Sequence, residues 1–238
     1  MTQNKHELYE DHSQNIGPKL NKLRAAVLGA NDGIVSISGL VVGVAGATDS
    51  KVVILTAGLA GLIAGAISMA AGEYVSVSSQ RDTERALLHQ EKFELKNYPK
   101  DELHELVKLY QDKGLTQATA KKVASELTDR DVFMAHADAE HSIDPDELVN
   151  PWQAAIASTA SFLAGAAVPL IAITVPPANM RIPIAFTSVV MALIITGTLS
   201  AKVGKAPVLP AIARVVSGGL IAMIITFSIG SLLGASNI

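Results

Sequence analysis

Cysteine is absent from the 238-residue chain. Its absence excludes disulfides, thiolate metal sites and cysteine nucleophiles together. The chain also lacks the phosphate-binding loop of ATPases, the nucleophile elbow of serine hydrolases and the His-Glu-x-x-His motif of zinc peptidases. Its basic residues are interleaved with acidic ones, so a nucleic-acid partner is not expected. The sequence therefore favours a protein that is not an enzyme and carries no organic cofactor.

Charge is nearly missing from five long apolar stretches. These stretches are residues 25–47, 52–80, 151–180, 182–201 and 215–238. Asp32 is the only charged residue in the first stretch, Glu73 is the only one in the second, and the other three contain none. Each stretch can cross about 30 Å of hydrocarbon, which takes about 20 helical residues. Since lipid cannot hydrogen-bond an open backbone, we expect an all-α integral membrane protein with five transmembrane helices.

Lysine and arginine are distributed unequally between the two sides of the predicted bundle. With five spans, the N-terminus, the segment after span two and the loop between spans four and five share one side, which holds 17 of the 19 basic residues. The opposite side holds only Lys51 and Arg181. Basic loops face the cytoplasm. We therefore expect the N-terminus and residues 81–148 to be cytoplasmic and the C-terminus to lie outside.

The polar segment between spans two and three predicts a small helical insert. No helix breaker follows span two until Asn97-Tyr98-Pro99, so its helix is expected to continue past the membrane. A second helix is predicted over 101–113 and a third over 117–140, giving a three-helix cytoplasmic insert. The expected organisation is a cytoplasmic N-terminal segment, two spans, the insert and three further spans, at residues 1–23, 24–80, 81–148 and 149–238.

A carboxylate at membrane depth points to function. Burying an aspartate there costs about 2.5–3.5 kcal/mol on insertion scales, so Asp32 is a functional candidate by default. Met69 and Glu73 are four residues apart on span two, and helix direction places them at a similar depth in the inner half of the bilayer. Carboxylate and thioether donors together suit divalent metal ions. Asp32, Met69 and Glu73 are therefore the predicted transport path.

Each of these three residues also has a structural interpretation. Asp32 could cap a broken helix at the turn-like sequence Asn31-Asp32-Gly33. Met69 could be ordinary core packing, and Glu73 could lie near enough to the lipid headgroups to be hydrated.

The insert contains glutamates at helical spacing. Residues three apart on a helix place their carboxylates within reach of one ion, and such pairs repel each other when no cation is bound. The alternative is a solvated, charged helix face. The candidate metal ligands are Glu84, Glu91, Glu94, Glu102, Glu105, Glu140 and His136.

Two motifs resemble the vacuolar iron transporter family. They are Asn31-Asp-Gly-Ile-Val-Ser36 in span one and the run from Gly65 to Gln80 in span two. The resemblance covers nearly the whole chain. It implies a homodimer that moves ferrous iron, and often manganese, out of the cytosol in exchange for protons, along a path at the dimer interface. It implies the cytoplasmic membrane of a prokaryote, or a vacuole-type membrane if the source is eukaryotic.

The resemblance also assigns roles to individual residues. Asp32 matches the essential aspartate of span one, and Met69 matches the methionine of span two. Glutamates that match the family's metal-binding insert are Glu91, Glu94, Glu102, Glu105 and Glu140. The chain departs from the eukaryotic pattern around Gly61, where a glutamate is missing. It also has Glu73 in place of a glycine, and only Met134 near His136 in place of a methionine pair.

Two other functions remain open at this stage. A membrane-anchored metal sensor or buffer would bind metal at the insert without moving it through the spans. A structural membrane protein would use its acidic residues only as solvated helix faces.

Overall fold

A computed structural model describes residues 16–236, with side chains from Arg24 onward. Every regular element within that range is helical, as the sequence predicts. Seven α-helices and one short 3-10 turn, Ala178–Met180, follow one another along the chain. The α-helices are α1 Ile16–Ala47, α2 Lys51–Asn97, α3 Pro99–Asp112, α4 Gln117–His141, α5 Pro151–Thr174, α6 Arg181–Val203 and α7 Val208–Ala235. Most of the expected N-terminal segment, residues 1–15, lies outside the described residues.

Five of these helices, α1, α2, α5, α6 and α7, are long and apolar enough to cross a membrane. This confirms the predicted number of spans. Helix α2 is 47 residues long and runs without interruption from its apolar part into the charged sequence after Gln80. The expected continuation of span two is therefore also confirmed.

The chain forms two compact units, with their boundary inside α2. One unit is Val75–Pro151, which contains the predicted insert. The other consists of the residues up to Tyr74 and from Trp152 onward, and it contains the apolar parts of all five long helices.

Local signals set the helix ends within the insert. Pro99 occupies the first turn of α3, where its missing N–H costs no hydrogen bond. Gly114 follows that helix with a φ of 99°, a left-handed conformation that glycine adopts without a steric penalty. Thr116 caps α4 by accepting a hydrogen bond from the N–H of Thr119. The helix bounds agree with the predicted ones to within two residues.

Helix α4 has an interruption that the sequence pattern did not predict. Asp131 has an extended conformation (φ −163°, ψ 97°) between two helical segments. Its side chain accepts a hydrogen bond from the N–H of Met134, in the manner of a helix N-cap, so it starts the second segment. That segment carries His136 and Glu140.

Helix α1 is packed tightly between α5 and α7. A Cβ atom at Gly33 would overlap the carbonyl oxygen of Phe162 on α5, and one at Gly230 on α7 would overlap the carbonyl oxygen of Gly43. Backbones can approach this closely only where side chains are absent. Apolar side chains of α1, α5, α6 and α7, with Ile54 of α2, form the core of this unit.

The continuous helix corrects one structural interpretation of Asp32. Asn31, Asp32 and Gly33 all lie within α1, which shows no break there. Asp32 therefore does not cap a broken helix. The glycine beside it is required by the close contact with α5, and its turn-forming ability is not used.

Candidate metal sites

The three candidate residues of the membrane spans line one cavity. Asp32 of α1 and Met69 and Glu73 of α2 border a space of about 360 Å³. Its remaining lining residues are Ser36, Ile37, Leu40, Gly61, Gly65, Ser68, Gly72 and Phe162. Two carboxylates, two hydroxyl groups and a thioether thus converge in an otherwise apolar surrounding, which is a donor set for a divalent cation.

Asp32 is oriented by its own helix. The Ser36 hydroxyl donates a hydrogen bond of 2.5 Å to Oδ1 of Asp32. Ser36 is the last residue of the first family motif but was not among the predicted site residues, although its position four residues after Asp32 places it on the same helix face.

Glu73 faces a positive charge. The Arg24 guanidinium lies 3.8 Å from Oε1 of Glu73, and the glutamate side chain is only 10% exposed. The arginine side chain is 61% exposed, so solvent screens the pair. Nothing in the sequence pattern indicated this contact, because it joins two helices at positions 49 residues apart.

The insert brings its ligands together in two groups that share Glu91. One group contains Glu91, Glu94 and Glu102, and the other contains Glu91, His136 and Glu140. Within each group the candidate ligand atoms lie within 4.8 Å of one another. Five of the seven residues predicted as insert ligands therefore meet at one place.

The two remaining predicted ligands lie apart from these groups. Glu105 is exposed on α3. Burial raises the pKa of Glu102, and the charge of Glu105 nevertheless adds to that rise. Glu84 accepts a hydrogen bond of 2.9 Å from the Gln80 side chain, one turn earlier on α2.

Burial makes this cluster electrostatically unusual. Desolvation raises the pKa of Glu91 from 4.5 to about 7, and the charges of Glu140, Glu102 and Glu94 add to the shift. Desolvation also raises the pKa of Glu102. For His136, burial lowers the pKa, because a charged ring is disfavoured there. The imidazole is thus kept neutral, which is the form that binds metals.

Several buried atoms of this cluster have no hydrogen-bond partner among the described residues. They are Oε1 of Glu91 and both ring nitrogens of His136. Glu91 is 1% exposed and His136 is fully buried. Leaving buried polar atoms unpaired costs free energy, and a metal ion would satisfy them.

His141 lies beside this cluster, although it is in neither of the two ligand groups, and it was not among the predicted ligands. Its Nε2 lies 3.6 Å from Oε2 of Glu91. It directly follows Glu140 at the last position of α4, where Ser142 turns the chain with a left-handed φ of 53°. Only its closeness in sequence to Glu140 could have indicated it.

Comparison with known proteins settles the family. The model of the VIT family matches residues 23–231, nearly the whole chain. The chain belongs to the VIT family. A protein of Acanthamoeba castellanii named "Vacuolar iron transporter" is 41% identical over 230 residues, which cover 96% of this chain and 85% of that protein.

Plant proteins of the VIT family are also similar. "Vacuolar iron transporter homolog 4" of Arabidopsis thaliana is 36% identical over 90% of this chain and 84% of its own length. "VIT-like transporter 1b" of Glycine max is 36% identical over 95% of this chain and 83% of its own length. The resemblance drawn from the two sequence motifs is thereby confirmed.

Proposed function

We propose that this protein transports ferrous iron across a membrane, out of the cytosol, and accepts manganese as a second substrate. The observation that carries the proposal is the cavity in which Asp32, Met69 and Glu73 meet within the apolar spans. A buried carboxylate in a membrane helix marks an ion path by default. Relatives that cover nearly the whole chain are named vacuolar iron transporters, which supports iron as the cargo.

Residues 81–148 are the proposed cytoplasmic metal-binding domain. The two ligand groups that share Glu91 support this role, since their oxygen and nitrogen atoms lie within 4.8 Å of one another. Captured metal then passes to the path in the spans. The excess of basic residues on one side of the bundle supports a cytoplasmic location for this domain and an external C-terminus. The proposed site of action is the cytoplasmic membrane, or a vacuole-type membrane in a eukaryote.

The working protein is proposed to be a homodimer with its path between two copies. The apolar part of α2 supports this arrangement. Side chains such as Val52, Ile63 and Ile67 are 60–74% exposed there, and the same helix lines the cavity. Either lipid or a second copy must cover these side chains in the membrane.

Transport in proteoliposomes tests the proposed path. Uptake of Fe²⁺ under anaerobic conditions with an imposed pH gradient is expected for the native chain. Asp32→Asn removes the charge while keeping the size, so uptake should fall to the background of empty vesicles. Asp49→Asn, a change in the exposed loop between α1 and α2, is the matched control and should leave uptake unchanged. Equal uptake by the Asp32 variant and native chain would remove Asp32 from the path.

Glu73 is the proposed proton-coupled carboxylate. It lines the same cavity as Asp32 and is nearly buried, so it can exchange a proton with the path. In Glu73→Gln we expect Fe²⁺ flux that no longer responds to the pH gradient. Glu126→Gln, on the exposed surface of α4, should keep the native response. A response that survives in the Glu73 variant excludes this role.

A membrane-anchored metal sensor or buffer is the second candidate. The observation that favours it is the cluster around Glu91, whose ligand groups consist entirely of residues within the unit Val75–Pro151. Saturable metal binding by the reconstituted chain, with no uptake into sealed vesicles, would select this function over transport.

A further inference from the structure

The carboxylate cluster of the insert has imidazole nitrogens at two of its edges. Nδ1 of His136 lies 3.1 Å from Oε1 of Glu91 and 3.6 Å from Oε2 of Glu102. Nε2 of His141 lies 3.6 Å from Oε2 of Glu91. Each oxygen of Glu91 thus faces a different histidine.

The 3.1 Å separation matches neighbouring ligands on one metal ion, and the two at 3.6 Å are slightly longer. With bonds of about 2.1 Å, adjacent ligand atoms are about 3.0 Å apart in an octahedron and about 3.4 Å apart in a tetrahedron. The contact at 3.1 Å lacks hydrogen-bond geometry, and both of its atoms are buried without a hydrogen-bond partner among residues 24–236. A hydrogen-bonded structural histidine would instead have at least one ring nitrogen satisfied.

Nitrogen ligands change which metals a carboxylate site prefers. Sites of carboxylate oxygens suit Mg²⁺, Ca²⁺ and Mn²⁺, whereas imidazole suits iron, zinc and the other later metals. Affinity at a given mixed site also rises from Mn²⁺ to Fe²⁺. Two imidazoles beside a cluster of carboxylate oxygens therefore increase the difference between the affinity for Fe²⁺ and the affinity for Mn²⁺.

We propose that His136 and His141 are metal ligands that make the insert select Fe²⁺ over Mn²⁺, Mg²⁺ and Ca²⁺. This inference rests on the proposed role of the insert as the metal-capture domain. It assigns selectivity to the histidines, and leaves the glutamates to provide charge and binding strength. Since Nδ1 is the atom of His136 that faces the carboxylates, asparagine is the substitution that best keeps the shape of that edge of the ring.

Competition binding on the full chain in detergent tests the selectivity. Dissociation constants for Fe²⁺ and Mn²⁺ are measured anaerobically against a metal-sensitive dye. In His136→Asn and in His141→Asn the ratio of Fe²⁺ to Mn²⁺ affinity should fall by roughly tenfold or more. Replacing a group that only hydrogen-bonds to a metal ligand already lowers metal affinity by about tenfold or more. His89→Asn changes an exposed histidine of α2 and should leave the ratio unchanged. An equal loss of affinity for both metals would overturn the inference, since it indicates a structural role.

X-ray absorption of the chain loaded with one equivalent of Fe²⁺ gives an independent readout. Imidazole ligands produce multiple scattering from the ring, which should be present in the native chain and weaker in each variant. A spectrum with oxygen ligands only would overturn the proposal. The native chain's Fe²⁺ uptake in proteoliposomes is measured on the same preparation. If the histidine variants change the ratio of Fe²⁺ to Mn²⁺ affinity but the native chain shows no Fe²⁺ uptake, the proposed transport is wrong and this inference stands. If the native chain takes up Fe²⁺ but the histidine variants keep the native affinity ratio, this inference is wrong and the proposed transport stands.

Discussion

At the scale of single residues, Glu91 is the central residue of the insert cluster. It is 1% exposed, it belongs to both ligand groups, and its two oxygens face His136 and His141. Burying a carboxylate among other carboxylates is unfavourable without a cation. The fold therefore keeps this residue in a state that a bound metal relieves.

The raised pKa of Glu91 predicts how metal binding depends on pH. Below its pKa of about 7 the carboxyl group is protonated and must release a proton before it binds metal. Because metal binding then displaces one proton from Glu91, metal affinity should rise by up to about tenfold per pH unit as the pH approaches 7. Above pH 7 the affinity should level off. Dye competition with Mn²⁺ from pH 5.5 to 8.5 measures this. Glu91→Gln should bind more weakly and lose this step, and an unchanged profile in that variant would assign the step to another group.

The same shift has the opposite effect on the metal-free fold. A raised pKa means that the folded chain binds this proton more tightly than the unfolded chain. The contribution of Glu91 to stability is therefore complete below about pH 4.5 and is lost as the pH rises through about 7. Burial of His136 lowers its pKa, so its contribution is lost in the opposite direction, as the pH falls. Bound metal should offset the destabilising effect of Glu91 near neutral pH.

At the scale of elements, glycine positions decide how closely the membrane helices pack. Two of the Gly-x-x-x-Gly pairs in the spans, Gly39/Gly43 and Gly61/Gly65, lie against helices of the same chain. Gly39 and Gly43 face Thr226 of α7, and Gly61 faces side chains of α1. Gly65 faces the ring of Phe162 on α5. Such pairs allow close helix contact within one copy or between copies, and these contacts are within one copy.

A pair of glycines on α7 allows a matched test of this packing. Gly230→Ala should be destabilising by about 1–3 kcal/mol, because the added methyl group overlaps the backbone of α1 at Gly43. Gly218→Ala meets no atom within 4 Å of the added carbon and should be neutral or slightly stabilising. Thermal unfolding of the detergent-solubilised variants measures both. Equal unfolding temperatures for the two variants would contradict the close crossing of α1 and α7.

At the scale of the whole molecule, the absence of cysteine makes the proposed topology directly measurable. Each single cysteine substitution creates the only thiol in the chain. In intact cells a membrane-impermeant maleimide should label Asp49→Cys and Ser236→Cys, which are exposed positions after α1 and after α7. Lys121→Cys in the insert should react only after the membrane is permeabilised. Labelling of Lys121→Cys in intact cells would reverse the orientation derived from the basic residues.

The spans and the insert helices were predictable from sequence because their signals are local. A run of about 20 apolar residues must form a helix in lipid, whatever its neighbours are. Pro99, Gly114 and Thr116 act within one helix turn, so the ends of α3 and α4 could be placed within two residues. The break at Asp131 was missed because aspartate is compatible with a helix and only its backbone conformation reveals the interruption.

The sequence by itself determined the helical membrane class, the number of spans, the family and most of the candidate ligands. The tertiary structure decided which of those ligands meet, since a contact between distant positions depends on how helices pack. It placed Arg24 beside Glu73 and His136 and His141 beside Glu91. It also gave Gly33 a packing role, because α5 leaves no room for a side chain next to Asp32. Hydrophobic run length is a property of one segment, whereas a metal site is a property of several segments held together.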